Sequence, residues 1–441
     1  MGQWVKPLAS KNHTKRPAIH ITIKTILNQL QHYSGFVFAD ERMTKAVNGL
    51  RLDVRIESHK QRQGQCSKCD RLGSTYDHLP EREWAFPPFW GIAVYFHYAE
   101  RRVTCPMHGP IVESVPWSDG KSPYSTTMMQ FLGNWARRLS WKETATVFRV
   151  SWPAVYRAVE WMVAWGLVHR SLDGIEAIGI DEIHVGRGKK SNNFLTVIYQ
   201  IDALCRRLLW VGRTRKASAL RKGLASLGQP VLDGIRHVCT DMWRPYLKVV
   251  GTMLGHTCHM IDRFHVTQHL NGAVDEVRRK DVAAMKARPK AGQRLKKMRW
   301  TLLRRKTRVL GKAREMLNRV LSTRLQTGRA YLLKESFLHF WDYHSTTWAS
   351  NYLRAWITRA RRSRIAPMIK VANMLEKHEE LLLNWIRARR DVFTGATEGL
   401  NNKARVVTKR SYGFRTFHVA ELALYHTLGR LPQPAVTHEF W

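Results

Sequence analysis

The stretch EAIGIDEIHVGRG (residues 176–188) decides the fold. A short apolar run leads into Asp181 and stops there, the pattern of a buried strand that ends on a carboxylate. HVCTDMWRPY (237–246) repeats that pattern with Asp241. In GATEGLNNKAR (395–405), Glu398 follows a Gly at the start of a polar helix. A carboxylate beside a buried strand is costly unless positive charge compensates it. Three of them brought together make a hard oxygen site for Mg²⁺, the ion that suits phosphodiester chemistry. Two such ions roughly 3.5–4 Å apart serve both the entering and the leaving oxygen, and a bridging Asp with two flanking carboxylates is a minimal cage for them.

The neighbouring sequence supports a sheet. NFLTVIYQID (193–202) and RRLLWVGRT (206–214) follow the Asp181 strand as two more strands. ASALRKGLASLG (217–228) reads as a helix, IRHVCTDM (235–242) as a strand, RPYLKVVGTML (244–254) as a helix and HTCHMIDRFH (256–265) as a strand. Three strands followed by alternating helix and strand give a mixed sheet with helices packed on it. From about 272 to 390 the pattern is helical, with breaks expected at Pro289 and Gly292. Residues 278–314 contain 16 Lys or Arg and one acid, Asp281, a surface suited to tracking phosphates. Lys296, Lys297, Arg304 and Arg305 are its candidate DNA contacts. Trp341, Trp348, Trp356 and Trp385 are read as core, with stacking on an extruded base as the alternative.

Ahead of the sheet lie two further patterns. Helical spacing near residues 25–33 is followed by the alternating strand LRLDVRIES (50–58). Cys66 and Cys69 form a CxxC pair, and after a spacer of 35 residues Cys105 and His108 form CxxH. Soft thiolates with an imidazole suit a structural, tetrahedral Zn²⁺, in the layout of a small zinc ribbon. His78 and His97 compete with His108 as the fourth ligand. SWKETATVFRV (140–150) and WPAVYRAVEWMVAW (152–165) read as two helices joined by a turn, the outline of a helix-turn-helix. Ser151 can cap the second helix, and Pro153 is tolerated in its first turn. Arg149 and Arg157 are placed to face phosphate, while Ser151, Trp152 and Tyr156 open the candidate recognition helix.

Composition narrows the partners. The 441 residues carry 73 Lys or Arg against 34 acids, a net charge of +39. Such an excess attracts phosphates strongly and in a salt-sensitive way, so nucleic acid is the expected partner. An acidic protein or an anionic membrane surface stays open on charge alone. No apolar run is long enough to span a bilayer, and residues 1–17 lack the apolar stretch of a signal peptide. Six Cys in a chain this long do not form a disulfide framework, which points to a reducing, cytoplasmic setting.

Spacing alone says little about an acid triad, because any chain offers many. The words around the acids are more specific. IGIDEIHVGRG, CTDMWRPY, IDRFHV (261–266) and TEGLNNKARVVTKRSYGFRTF (397–417) together resemble the DDE transposases of bacterial insertion sequences, most closely the ISL-three family. The resemblance covers most of the chain. It implies an RNase-H-like core interrupted by an all-helical insertion, and therefore a multidomain α+β protein with a zinc-ribbon and helix-turn-helix head. The expected domains are 1–120 (zinc-binding), 121–172 (helix-turn-helix), 173–272 (first part of the catalytic core), 273–390 (basic helical insertion) and 391–441 (end of the core).

The resemblance also implies a function. Asp181, Asp241 and Glu398 would hold two Mg²⁺ (or Mn²⁺) ions per active site. The enzyme would bind terminal inverted repeats, cut them, and join the freed 3′ hydroxyl to target DNA, working as a homodimer or larger assembly in the bacterial cytoplasm at the nucleoid. Asp262 and His265 form an Asp-x-x-His pair that some DDE families place after the second Asp. His265 then contacts the scissile phosphate or orients a ligand, against the plainer reading of a satisfied histidine at a strand end. Asn402, four residues after Glu398 and on its helix face, or Lys403 would touch the substrate. Each acid has a plainer reading too. Glu182, facing the other way, rivals Asp181; Asp241 could cap a helix; Glu398 could simply favour a helix N-terminus. Two other activities fit the same head and core: a non-catalytic DNA-binding regulator, and a nuclease without strand transfer.

Overall fold

The computed structural model describes residues 22–46, 49–185, 193–285, 287, 289–388, 395–411 and 413–435. Residues 1–17, read above for a leader, and residues 186–188 of the Asp181 block lie outside them. The chain divides into two units, Met1–Met162 with Gln433–Trp441, and Val163–Pro432. Among the described residues no helix is long and apolar enough to cross a membrane.

The first unit opens with helix α1 (Ile23–Leu30), capped by Thr22, and a four-stranded sheet. Its strands are β1 (Phe36–Ala46), β2 (Gly49–Ser58), β6 (Arg82–Phe89) and β7 (Ile92–Tyr98), in the order β1-β2-β7-β6. The alternation in LRLDVRIES does what period-two patterning demands. Leu52, Val54 and Ile56 are buried, while the charged residues between them turn outward. The core is aromatic: Trp117 meets Phe36, Tyr33, Tyr98 and Trp84 at ring separations of 4.7 to 6.0 Å. Short strands β3 (Gly64–Gln65), β4 (Leu72–Gly73), β5 (Thr75–His78), β8 (Arg101–Cys105) and β9 (Gly109–Val112) form two small sheets beside it, β3-β4 and β5-β8-β9. Helices α2 (Thr126–Arg138), α3 (Trp141–Val147) and α4 (Trp152–His169) follow.

A buried ion pair holds the small sheets. Glu113 accepts from Arg101 Nη2 at 2.7 Å and Nε at 2.9 Å, and from the Tyr98 hydroxyl at 2.7 Å. Burial alone would raise its pKa, but Arg101 and Tyr98 outweigh that and hold the carboxyl below its ordinary value. Glu113→Gln is expected to cost about 3–5 kcal/mol, because Arg101 would keep a buried charge with no counter-charge. The sign with pH follows from the depressed native pKa. The pair's contribution is complete above the unfolded value of about 4.3 and is lost as pH falls through the lower native value. Urea unfolding of parent and variant across pH 2–7 measures both; equal acid sensitivity of the two would refute the assignment.

The second unit is built on a five-stranded mixed sheet, order β12-β11-β10-β13-β14. Its strands are β10 (Ala177–His184), β11 (Phe194–Ile201), β12 (Arg206–Arg213), β13 (His237–Thr240) and β14 (Cys258–Ile261). The first three pair antiparallel; β13 and β14 join β10 in parallel. One face carries Ile178, Ile180, Ile198 and Val238 against α5 (Ala217–Ala225), α6 (Gln229–Gly234) and α7 (Arg244–Met253). The other face receives α16 (Gly395–Arg410), and α17 (Phe417–Leu428) packs on β12.

One strand ends earlier than expected. HTCHMIDRFH is strand only to Ile261; Asp262 then caps α8 (Arg263–Ala284), so His265 lies in a helix first turn. The carboxylate of Asp262 accepts from Phe264 N at 2.8 Å, and that cap overrides the β-pattern of the sequence. Beyond α8 run α9 (Pro289–Lys297), α10 (Arg299–Leu303), α11 (Gly311–Leu321), α12 (Gln326–Phe337), α13 (Thr346–Arg362), α14 (Ala366–Lys377) and α15 (Glu379–Arg387). Pro289 opens α9, as its fixed φ allows, and Gly292 lies inside that helix without breaking it. Trp341, Trp356 and Trp385 are core, whereas Trp348 is 67% exposed. Lys334 is only 1% exposed, and its ammonium donates to the carbonyls of Leu302 and Arg304 at 2.9 and 3.0 Å, closing the end of α10.

Candidate active site and metal cluster

Strand register sets the first two acids side by side. Gly179 on β10 pairs with Cys239 on β13, so two residues further Asp181 stands level with Asp241, which lies just past the end of β13. The strand expected to end on Asp181 instead runs on to His184, so Asp181 lies inside β10, paired with Val197. The side chains alternate, and Thr196, the register partner of Glu182, bonds Tyr246 of α7. Glu182 therefore faces the α7 side, with Arg215 at 3.9 Å, and Asp181 faces α16. Gly179 lies beneath that helix: a Cβ there would collide with the Thr397 hydroxyl. A glycine two residues before Asp181 is thus what lets α16 approach the strand.

Close approach brings α16 onto Asp181 through a residue the sequence reading passed over. Asn401 donates a hydrogen bond to Asp181 Oδ2 and accepts one from the Tyr199 hydroxyl at 2.9 Å. Ala396, Leu400 and Ala404 form the apolar part of the buried face of the helix, and Thr397 and Asn401 are buried beside them. The stripe was readable in the sequence and would have pointed to Asn401. Asn402 and Lys403 are exposed instead, and the Asn402 oxygen accepts from Arg405 at 2.9 Å. Glu398 is half-buried, three residues before Asn401, about 4.5 Å along the helix axis. Among the described residues the oxygens of Asp181, Asp241 and Glu398 do not gather within 4.8 Å of one another.

The charges at this edge are crowded. Burial, with help from Asp262 and Asp241, lifts Asp181 to about 6 against the pull of His265. Burial and the nearby Asp241 lift Glu182 to about 7. Asp241 is raised as well, chiefly by burial, while its Oδ1 accepts from Trp243 N at 3.0 Å. His265 moves the other way, to about 9: burial opposes its charge, but Asp262, Asp181 and Asp241 prevail. Its Nε2 is 3.9 Å from Asp181 Oδ1 and its Nδ1 3.6 Å from Asp262 Oδ2. Hard carboxylate oxygens, buried and mutually repelling, are a donor set that fits a divalent cation.

The cysteine motifs converge. Cys66, Cys69, Cys105 and His108 bring one ligand atom each within 4.8 Å of one another. Cys69 and Cys105 sulfurs are 3.5 Å apart, and His108 Nδ1 is 3.5 Å from Cys105 and 3.7 Å from Cys66. Those are about the edges of a tetrahedron with metal bonds of 2.0–2.3 Å, so the cluster fits zinc. His108 is the fourth member. His97 is engaged by Asp53 at 2.8 Å and Glu81 at 3.3 Å, and His78 ends β5 outside the cluster.

The candidate DNA contacts fall on three surfaces. Ser140 and Glu143 form a capping box at the start of α3. The turn to α4 passes through Arg149 at φ +52°. Arg149, Ser151, Trp152 and Arg157 are exposed, and half-buried Tyr156 stacks on Trp152 at 5.7 Å. In the helical region Lys296, Lys297 and Arg304 are exposed and Arg305 is half-buried. Asn402 and Lys403 make the third surface, on α16.

Comparison with known proteins follows the same residues. The family model DDE_Tnp_ISL3, described as a transposase, matches residues 178–424. The transposase for insertion sequence element IS1557 of Mycobacterium tuberculosis is 26% identical over 398 residues, 84% of this chain and 87% of its own length. The transposase for insertion sequence element IS1001 of Bordetella parapertussis is 23% identical over 330 residues, 74% of this chain and 80% of its own.

Proposed function

This chain belongs to the ISL-three family of insertion-sequence transposases, and from that premise we propose a DDE enzyme that binds terminal inverted repeats, cuts there and joins the freed end to target DNA. One observation carries the catalytic part. Asp181, inside β10, and Asp241, just past β13, stand level on adjacent strands, and Asn401, on the helix of Glu398, bonds Asp181. The strand order β12-β11-β10-β13-β14, antiparallel then parallel, supports reading this sheet as RNase-H-like, with the helices after α8 as its insertion.

Asp181, Asp241 and Glu398 are the proposed holders of two Mg²⁺ or Mn²⁺ ions. Bound there, such ions supply positive charge to the oxygens entering and leaving phosphorus. The chain's own groups orient the site. The Tyr199–Asn401 pair fixes one Asp181 oxygen, and the Trp243 amide fixes one of Asp241. His265, placed against Asp181, is positioned to meet the scissile phosphate. Water, then the element's 3′ hydroxyl, is the nucleophile.

The zinc cluster, held by Cys66, Cys69, Cys105 and His108, is structural in this reading. The α3–α4 pair is a helix-turn-helix that reads the repeats, with Lys296, Lys297, Arg304 and Arg305 following phosphates. The domain limits 1–120, 121–172, 173–272, 273–390 and 391–441 belong to this reading. So do assembly as a dimer or larger on two DNA ends, and residence at the bacterial nucleoid.

A DNA-binding regulator is the rival, favoured by the three carboxylates not gathering within 4.8 Å of one another among the described residues. Purified protein, Mg²⁺, DNA bearing both element ends and a target plasmid separate the possibilities. Cut ends joined to the plasmid are expected. Cutting without joined products would leave a nuclease, and metal-independent binding with no cutting would leave the regulator.

A further inference from the structure

The sheet edge holds a third carboxylate in line with the first two. Thr240 on β13 pairs with Ile261 on β14, so Asp262 stands level with Asp241, as Asp241 does with Asp181. Neighbouring strands lie about 4.8 Å apart, so the three carboxylates follow one another across three adjacent strands. Among the described residues their oxygens do not all come within 4.8 Å of one another. Cys239 sits between them on the same face, two residues before Asp241, and feels both Asp262 and Asp181.

Asp262 has a structural duty, but only one of its oxygens performs it. Oδ1 caps α8 through Phe264 N. Oδ2 is buried, in a residue 3% exposed, and has no hydrogen-bond partner. A buried oxygen without a hydrogen bond is expensive. What stands near it is the His265 ring, which spans Asp262 Oδ2 at 3.6 Å and Asp181 Oδ1 at 3.9 Å. The imidazole thus stands between the two carboxylates.

Resting on the metal-centre reading above, we infer that Asp262 is a further metal ligand, its Oδ2 turned to a divalent ion that it shares with Asp181 and Asp241. This gives a role to the oxygen that the cap leaves free. It also gives the centre three donors on or just past adjacent strands before any contribution from Glu398. Binding of one ion by both carboxylates would require the His265 ring to move aside and their oxygens to draw closer.

The test is Mn²⁺ binding to zinc-loaded, full-length protein, read by the electron paramagnetic resonance signal of the free aquo ion. Asp262→Asn and Asp262→Ser both keep a side chain that caps helices well, so the start of α8 survives in at least one. Each is expected to bind Mn²⁺ at least about tenfold more weakly than the parent, by analogy with the loss on removing groups around a metal. Asp181→Asn is the reference. If it loses the ion while both Asp262 variants bind like the parent, the Asp262 assignment is overturned and the active-site reading stands. If Asp181→Asn binds like the parent, the metal-centre reading itself falls, and Asp262 with it.

Discussion

Asp181→Asn is expected to lower end cleavage by about a thousandfold or more while leaving affinity for element-end DNA within about twofold. The substitution keeps the shape of the side chain and an oxygen able to accept from Asn401, whose amide donates to Asp181. What it removes is the charge. Stabilisation of a phosphoryl transition state by a bound ion is worth several kcal/mol, and about 4 kcal/mol is roughly a thousandfold. DNA affinity should persist because it comes from the basic surface, with 73 Lys or Arg in the chain, and from counterion release. Neutralising one of several crowded carboxylates also relieves repulsion. The metal-free variant should therefore melt no lower than the parent, which separates lost chemistry from lost fold. Cleavage and filter-binding assays at one salt concentration, with a thermal melt, measure all three. Undiminished cutting by the variant would remove Asp181 from the mechanism.

Stripping zinc is the second large effect. Strands β3 and β4 are two residues each, and strands that short do not stand alone in water. Structural zinc sites contribute about 10–16 kcal/mol of apparent binding energy, more than a small domain's whole stability. A strong chelator, or Cys105→Ser, should therefore unfold the small sheets between Gly64 and Val112. Limited proteolysis should then cut there first. The aromatic core around Trp117 belongs to the neighbouring sheet and should persist longer, seen as retained near-ultraviolet dichroism. His108→Ala should release zinc, whereas His78→Ala and His97→Ala should retain it, because only His108 faces the three sulfurs. Retained zinc in His108→Ala would reassign the fourth ligand.

Much of the second unit could be read from residues alone. β10 to β14, α5 and α7 appear where apolar runs and their breaks placed them, because a buried strand and an amphipathic helix carry different periods. The reading failed where a single side chain overrides a pattern. CHMIDRFH alternates well enough to pass for strand, yet one carboxylate at Asp262 captures an amide and starts α8. Trp348 was read with three core tryptophans and lies exposed, since a Trp carries no sign of which helix face it occupies. Spacing from Glu398 picks out Asn402, which is exposed, and passes over Asn401, which the turn of α16 presents to the sheet beside Ala396, Leu400 and Ala404.

The sequence by itself determined which residue chemistry the chain carries: hard acids in or beside strands and at a helix start, soft ligands in paired knuckles, and an excess of positive charge. These depend on residue type and on spacing within one element, where covalent geometry does the positioning. Only the tertiary structure decided which acids meet. Parallel register lines up Asp181, Asp241 and Asp262 although 60 and 21 residues separate them in turn, and a missing Cβ at Gly179 brings α16 against them. Such meetings arise from packing between distant segments, and a linear pattern holds no record of that until the chain is folded.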